Sequence, residues 1–480
     1  MQGRTIHAHQ PRQHYNVTFA LLALAGAAFA LLQSLVIPAL GTIESDLHMS
    51  PTAGAWIITA YLLSASVATP IAGRMCDMFG KKRTLVVVLA ILALGTLISA
   101  LATSGGVMIA GRVVQGIGGA VFPLAFAIIR DEFPREKVPV GIAMISSILG
   151  VGGGLGILLS GPIVEHLGYH WLFWLPLAVV LAAGVGAFVA IPESPVKTPG
   201  RISWVGSLLL SSWLVALLIG VSQAHAWGWT SARVLTLFAL AAALCVAWVI
   251  VESRSDHPLV DMQMMRQRAV WTTNLTGFLF GFGMFGSFIL VPALVESPAS
   301  SGVGFGASVT QAGFYLLPST AGMLLVSPLA GRLSSRIGSR IPLIAGSLTT
   351  AASFFLLVVA HHHPWQIYVS TALLGIGLGL AFSSMANLIV SAVRPDQTGV
   401  ATGMNTIMRS IGGSIGGQLS ASILAGSVAV SGGLPTDKGF TLAFLVSAVG
   451  LPLAVAAAVL IPRGRPADAA VRMSTVTDAA

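Results

Sequence analysis

The 480-residue chain is 55% hydrophobic and only 9% charged, where an average soluble domain carries about 25% charged residues. That balance excludes a water-facing exterior over most of the molecule, so lipid must be its main solvent. A formal net charge of +9 would suit nucleic acid if it formed a patch, but the Lys and Arg residues sit in short gaps between apolar stretches, which excludes a nucleic-acid partner.

A basic start (Arg4, Arg12) precedes an apolar stretch at about 16–40. It exceeds the roughly 7 to 15 residues of a signal-peptide core and reads as an uncleaved first helix. At roughly 20 apolar residues per crossing, the following spans are 52–72, 84–103, 106–129, 138–162, 171–191, 203–222 and 234–252. Six more follow at 271–294, 308–330, 341–360, 366–390, 400–426 and 440–461. These fourteen spans predict an all-α integral membrane protein with both termini on one side. Loop charge agrees: one side holds 21 basic residues and the other only Arg233 and Lys438, while Arg112 and Arg409 fall within spans. The positive-inside rule then places the basic side and both tails in the cytoplasm of a bacterial inner membrane. Cys76, in a predicted loop, and Cys245, in a span, suggest neither a disulfide nor a metal cluster.

Two segments repeat. Gly73-Arg74-Met75-Cys76-Asp77-Met78-Phe79-Gly80-Lys81-Lys82-Arg83 follows span 2, and Gly331-Arg332-Leu333-Ser334-Ser335-Arg336-Ile337-Gly338-Ser339-Arg340 follows span 10, with Ser335 in place of the acid. The repeat predicts two pseudo-symmetric six-helix bundles, 16–191 and 271–461, with helices 7 and 8 inserted at 203–252, between cytoplasmic tails 1–15 and 462–480. Paired bundles of this kind hold a substrate at the midplane between them. In the first copy the glycines permit close backbone approach and positive φ, and Asp77 can accept hydrogen bonds from a helix N-terminus or from Arg74.

The loop resembles the signature of the major facilitator superfamily, and the chain resembles its fourteen-helix drug/proton antiporter branch. In span 4, Arg112-Val113-Val114-Gln115-Gly116 is similar to the family's R-x-x-Q-G element. In span 5 the glycine-rich run from Gly150 through Gly154 and Gly156 to Gly161-Pro162 resembles the antiporter motif. His170-Trp171-Leu172-Phe173-Trp174-Leu175-Pro176 resembles the opening of helix 6, and Gly403-Met404-Asn405 through Arg409 resembles helix 13. The resemblance covers nearly the whole chain. It implies secondary active export of hydrophobic compounds, such as drugs or antibiotics, by alternating access with proton influx as driver.

Arg112 is the leading functional candidate, since an intramembrane charge is costly and marks a functional site by default. The resemblance implies a role in proton coupling for it, with Gln115 and Arg409 beside it in the same group; the alternative is a structural arginine bonded to backbone carbonyls and Gln115. Gly150, Gly154, Gly156, Gly161 and Pro162 read as a small-residue interface between bundles. Gln33, Tyr61, Asn274, Phe278, Asn387 and Asn405 are the candidate substrate-cavity residues, few and polar or aromatic among apolar neighbours. The Gly412-Gly413-Ser414-Ile415-Gly416 run matches a hydrolase nucleophile motif only formally, because a nucleophile elbow needs a strand before it and a histidine nearby. His361-His362-His363 and Glu165-His166 with His170 could ligate zinc, but they fall at predicted external helix ends and read as solvated.

None of the 16 acids lies at mid-depth, and Gln33 occupies the position where the resembling proteins commonly carry an Asp. An external carboxylate, Glu165 or Glu296, is therefore the candidate proton carrier, its pKa raised toward neutrality by burial. The alternative is different or absent proton coupling, with a neutral or anionic cargo. The expected partners are thus a hydrophobic small molecule, protons and the lipid bilayer, with the chain a monomer and neither an enzyme nor dependent on a cofactor or metal. A membrane sensor or enzyme, the rival from another class, would need a catalytic constellation or an appended domain.

Overall fold

The structure, a computed structural model, describes residues 15–194, 203–299, 302–428 and 434–462. The expected tails, apart from residues 15 and 462, lie outside the described residues, as do Lys197 and Arg201.

The first eight helices are α1 (Tyr15–Ser34), a short α2 (Leu40–Asp46), α3 (Pro51–Phe79), α4 (Lys81–Ala100), α5 (Gly105–Gly116), α6 (Val121–Glu132), α7 (Val138–Leu167) and α8 (Trp171–Ala190). A 3-10 turn at Ile117–Ala120 joins α5 to α6 as one crossing. Next come α9 (Trp204–Trp227) and α10 (Ala232–Arg254), then the short α11 (Met262–Arg266). The chain ends with α12 (Arg268–Glu296), α13 (Val309–Ile337), α14 (Arg340–Val359), α15 (Pro364–Ala392), α16 (Thr398–Gly426) and α17 (Asp437–Val459). Local chemistry sets many of the ends. Ser50, Ser104, Ser203, Ser231 and Ser308 each accept a backbone N–H at a helix start. Gly80, Gly168, Gly228 and Gly338 stop helices at positive φ.

With α5 and α6 as one, fourteen long helical segments match the fourteen expected spans. Thirteen are long and apolar enough to cross a membrane. The fourteenth, α16, is 29 residues long but diluted by Gly, Ser and Thr, and it is ringed by α3, α6, α9, α12, α15 and α17. Several helices also outrun their expected spans, because polar turns continue a helix beyond the hydrocarbon. The repeated segment is therefore mostly helix: Gly73 to Phe79 form the end of α3, and Cys76, expected in a loop, is wholly buried there.

Apolar burial divides the helices into groups. One core draws on α1 and α3–α8, with Leu22, Leu89 and Phe173 at its centre. A second joins α12–α17 around Phe280, Phe354 and Phe444. A third packs the α9–α10 pair, through Trp213 and Trp248, with Met264 of α11 and with Met404 of α16. The α9 helix touches both α3 and α16, so the inserted pair covers one seam between the bundles, and α7 lies along α13 at the other.

Candidate functional site

Arg112 is 1% exposed, and its environment follows from its fork of donors. Nε donates to the Ile57 carbonyl at 3.1 Å, and Nη1 donates to the Leu32 carbonyl at 3.2 Å and to Gln115 Oε1 at 2.5 Å. Gln115 in turn donates to Thr96 Oγ1 at 2.9 Å. The guanidinium lies 4.1 Å from the centre of the Tyr61 ring, which stacks on Phe29. One side chain thus ties α5 to α1 and α3, and a second bond continues to α4.

The α3–α4 turn is equally constrained. Gly80 has φ +108° and separates the two helices without a loop. Lys81, 2% exposed, forms an ion pair with Asp131, which also accepts from Ser194 Oγ. Arg83 reaches Glu193 at 3.6 Å in the open. The Asp77 carboxylate is buried and accepts no hydrogen bond among the described residues, contrary to the expected bond from Arg74 or a helix N-terminus. Gly73 lets α3 meet α16: a Cβ there would lie 2.8 Å from the Gly399 carbonyl. Gly331, its counterpart, lets α13 meet α7 in the same way, a Cβ lying 2.7 Å from Val140 Cα. In each copy, the second helix of one bundle meets the fifth helix of the other.

The α7 glycines face two ways. Gly150, Gly154 and Gly161 meet Met323, Thr320 and Thr310 of α13, in the other bundle. Gly156, grouped with them from the sequence, faces Ser34 of α1 within its own bundle, as Gly152 faces Ala30. The cause is helical geometry: Gly150/Gly154 and Gly152/Gly156 are i, i+4 pairs offset by two residues, about 200° around the axis. Pro162 is half-buried inside the same helix.

Four of the six expected cavity residues are buried, and three of them tie helices together. Tyr61 is 1% exposed beneath Arg112. Asn405 donates to Asn274 Oδ1 at 3.1 Å and to the Thr273 carbonyl at 3.4 Å, joining α16 to α12. Asn387 donates to the Pro139 carbonyl at 3.1 Å. The asparagine amides satisfy themselves on neighbouring helices, whereas the buried Tyr61 hydroxyl has no hydrogen-bond partner among the described residues. Gln33 and Phe278 remain half-buried. So does Arg409, whose guanidinium lies 4.5 Å from the centre of the Phe382 ring.

The Asn387 bond belongs to a larger clasp. Ser383 Oγ donates to the Ala143 carbonyl at 3.3 Å. Arg130 donates to the Val393 carbonyl at 2.8 Å, the Arg394 carbonyl at 3.2 Å and Thr398 Oγ1 at 2.7 Å. All hydrogen bonds between the bundles among the described residues lie toward the face bearing the basic turns. Near them Arg394, exposed, is held further toward its charged form by hydrogen bonds to Asp396. Gln397 donates to Asp261 at 2.9 Å and fastens the α10–α12 connection to the same region.

The opposite face departs from expectation. Glu165 and Glu296 are exposed, in the last turns of α7 and α12; partial desolvation at the helix end still holds the Glu296 carboxyl above its ordinary value, the direction expected. His361, expected to be solvated, is instead 1% exposed. Its Nδ1 lies 2.6 Å from the Leu357 carbonyl and its Nε2 2.9 Å from Asp437 Oδ1. No local spacing signals that pairing, since Asp437 lies at the start of a helix far along the chain.

Comparison with known proteins agrees with this architecture. The family model of the Major Facilitator Superfamily matches residues 22–417 and again residues 273–476. The chain is 30% identical over 388 residues to the tetracenomycin C resistance and export protein of Streptomyces glaucescens, covering 80% of this chain and 71% of that one. It is 29% identical over 388 residues to the uridine/deoxyuridine transporter of Lactococcus lactis subsp. cremoris, covering 78% of each. The solved proton:xylose symporter XylE superposes with a TM-score of 0.67 at 14% identity, covering 95% of this chain and 98% of that one, a likeness of fold. A multi-pass membrane protein of two bundles with repeated turns, this chain belongs to the Major Facilitator Superfamily.

Proposed function

We propose that this protein is a secondary transporter that exports hydrophobic small molecules by alternating access across a bacterial cytoplasmic membrane, its basic face and both termini in the cytoplasm. One observation carries the reading: among the described residues, the bundles are hydrogen-bonded to each other on the basic face alone, while glycine-lined seams run between them. A transporter closed to the cytoplasm and able to rock needs that asymmetry, breakable bonds at one end and smooth surfaces along the seams. Export is favoured over uptake by the likeness of α7 to the antiporter motif and by the relative named for resistance and export; the nucleoside transporter supplies the competing cargo. The protein acts as a monomer with Arg112 and Gln115 holding the first bundle rigid. The Gly73–Arg83 turn, with Arg74, Asp77, Gly80 and Lys81, acts as the conformational switch.

A second reading, export without conventional proton coupling, is favoured by the placement of the acids. Every described carboxylate lies within a helix's terminal turn or in a connection, and Glu165 and Glu296 stay exposed. Purified protein in vesicles, given a pH gradient and cationic, neutral, anionic and nucleoside probes, tests both. Export of hydrophobic probes by the wild type and equally by Glu165→Gln and Glu296→Gln is the expected outcome. Loss of pH-driven export in either variant restores the proton-coupled reading, and transport of nucleosides alone overturns drug export.

A further inference from the structure

The two intramembrane arginines differ in one respect that bears on cargo. Arg112 spends its donors on two carbonyls and a carboxamide. Arg409, at mid-length of α16, has no hydrogen bond or ion pair from its guanidinium among the described residues; the guanidinium lies over the Phe382 ring. Five N–H donors on a permanent cation are left without protein acceptors at membrane depth. Such a group is stable where water or a ligand reaches it.

The surroundings supply that access. Thr406, Ser410, Ser414 and Gln418 recur every four residues along α16, and each is partly accessible. The i, i+4 spacing lines them up as one polar stripe beside Arg409. Because α16 packs against helices of both bundles and of the inserted pair, an accessible polar stripe on it is suited to line a space between them and not to face lipid. The opposite side of α16 is fixed: Gly281, Phe278 and Phe282 of α12 pack against its backbone at Arg409, Gly412 and Gly416. The Arg409 side chain is thus held at a defined place over an aromatic floor.

We infer that Arg409 and Phe382 form an anion-binding subsite of the transport cavity and that the cargo is an aromatic or otherwise apolar organic anion. This deepens the export reading and rests on it. The guanidinium fork pairs bidentately with a carboxylate, the Phe382 ring backs the apolar part, and no carboxylate at mid-depth competes for the arginine or attracts a cation. The anion also removes the need for a proton-carrying acid. An inside-negative membrane potential drives a negative charge outward, so export runs downhill electrically.

The test uses purified full-length protein with naphthoate, naphthamide and naphthylmethylamine, three probes of nearly one shape and different charge. Binding is followed by tryptophan fluorescence, and transport in vesicles under an imposed potassium diffusion potential. The wild type should bind naphthoate about ten- to hundredfold more tightly than naphthamide and move it faster when the potential favours anion exit. Arg409→Gln should lose that preference while keeping the naphthamide affinity, and Arg409→Lys should keep part of it. Should Arg409→Gln fail to fold, the wild-type probe comparison and Arg409→Lys decide. Equal binding of naphthoate and naphthamide, an Arg409→Gln protein that keeps its preference, or preferred transport of the amine overturns the subsite. Preferred naphthoate binding with no transport of any probe supports the subsite and overturns export.

Discussion

At the residue scale, burial decides what a polar side chain does. Arg112 was conspicuous in the sequence because it interrupts an apolar span, and the structure gives it the acceptors that its position demands. His361 shows the reverse. Three adjacent histidines at a helix end look solvated, yet packing turns one inward, between the Leu357 carbonyl and Asp437. The pairing joins α14 to α17 across a separation that no local pattern encodes. His361→Ala and Asp437→Asn should each destabilise the protein by about 1 to 2 kcal/mol, with the double variant costing less than their sum. Thermal unfolding of all three checks this, and strict additivity would show that the pair does not interact.

At the scale of the element, α7 carries the clearest separation of roles. Gly154 faces α13 across the bundle seam, and Gly152 faces α1 inside its own bundle. Leucine at Gly152 should therefore lower thermal stability by roughly 1 to 3 kcal/mol through overpacking. Leucine at Gly154 should leave the first bundle intact and slow transport, since it obstructs surfaces that slide. Equal losses of stability and transport in both variants would mean that α7 has one face and not two. The glycine run was plain in the sequence, but its division was hidden because composition carries no direction until the helix has neighbours. The same limit affected Asn274, Asn387 and Asn405, whose amides were visible but whose partners lie on other helices. Hydropathy, by contrast, locates every crossing, α16 included, although Gly, Ser and Thr dilute the apolar character of that helix.

For the whole molecule, the repeated glycine contacts matter most. Gly73 on Gly399 and Gly331 beside Val140 place two similar close approaches on either side of the clasp formed by Arg130, Ser383 and Asn387. The internal repeat was legible in the sequence, and the fold shows why both halves keep it. Loosening the clasp should shift the protein toward opening on the basic face. Ser383→Cys, in a background with Cys76 and Cys245 replaced, should be shielded from a polar thiol reagent and become labelled several-fold faster when Arg130→Ala is added. Unchanged labelling would show that Arg130 does not hold that face closed.

The inserted α9–α10 pair has a consequence of another kind. It is fastened to one bundle where the Thr59 and Ser222 hydroxyls meet at 3.2 Å, and to the other where Trp229 Nε1 donates to Ser422 Oγ at 3.2 Å. Neither fastening shares a residue with Arg409 or the clasp, yet separation of the bundles on that side would strain one of them. In the proposed cycle they would restrain the rocking motion. Loosening them with Ser222→Ala and Ser422→Ala should alter turnover while leaving cargo affinity untouched. Speed and selectivity are then written in different stretches of the chain, and each can be retuned by substitution without disturbing the other.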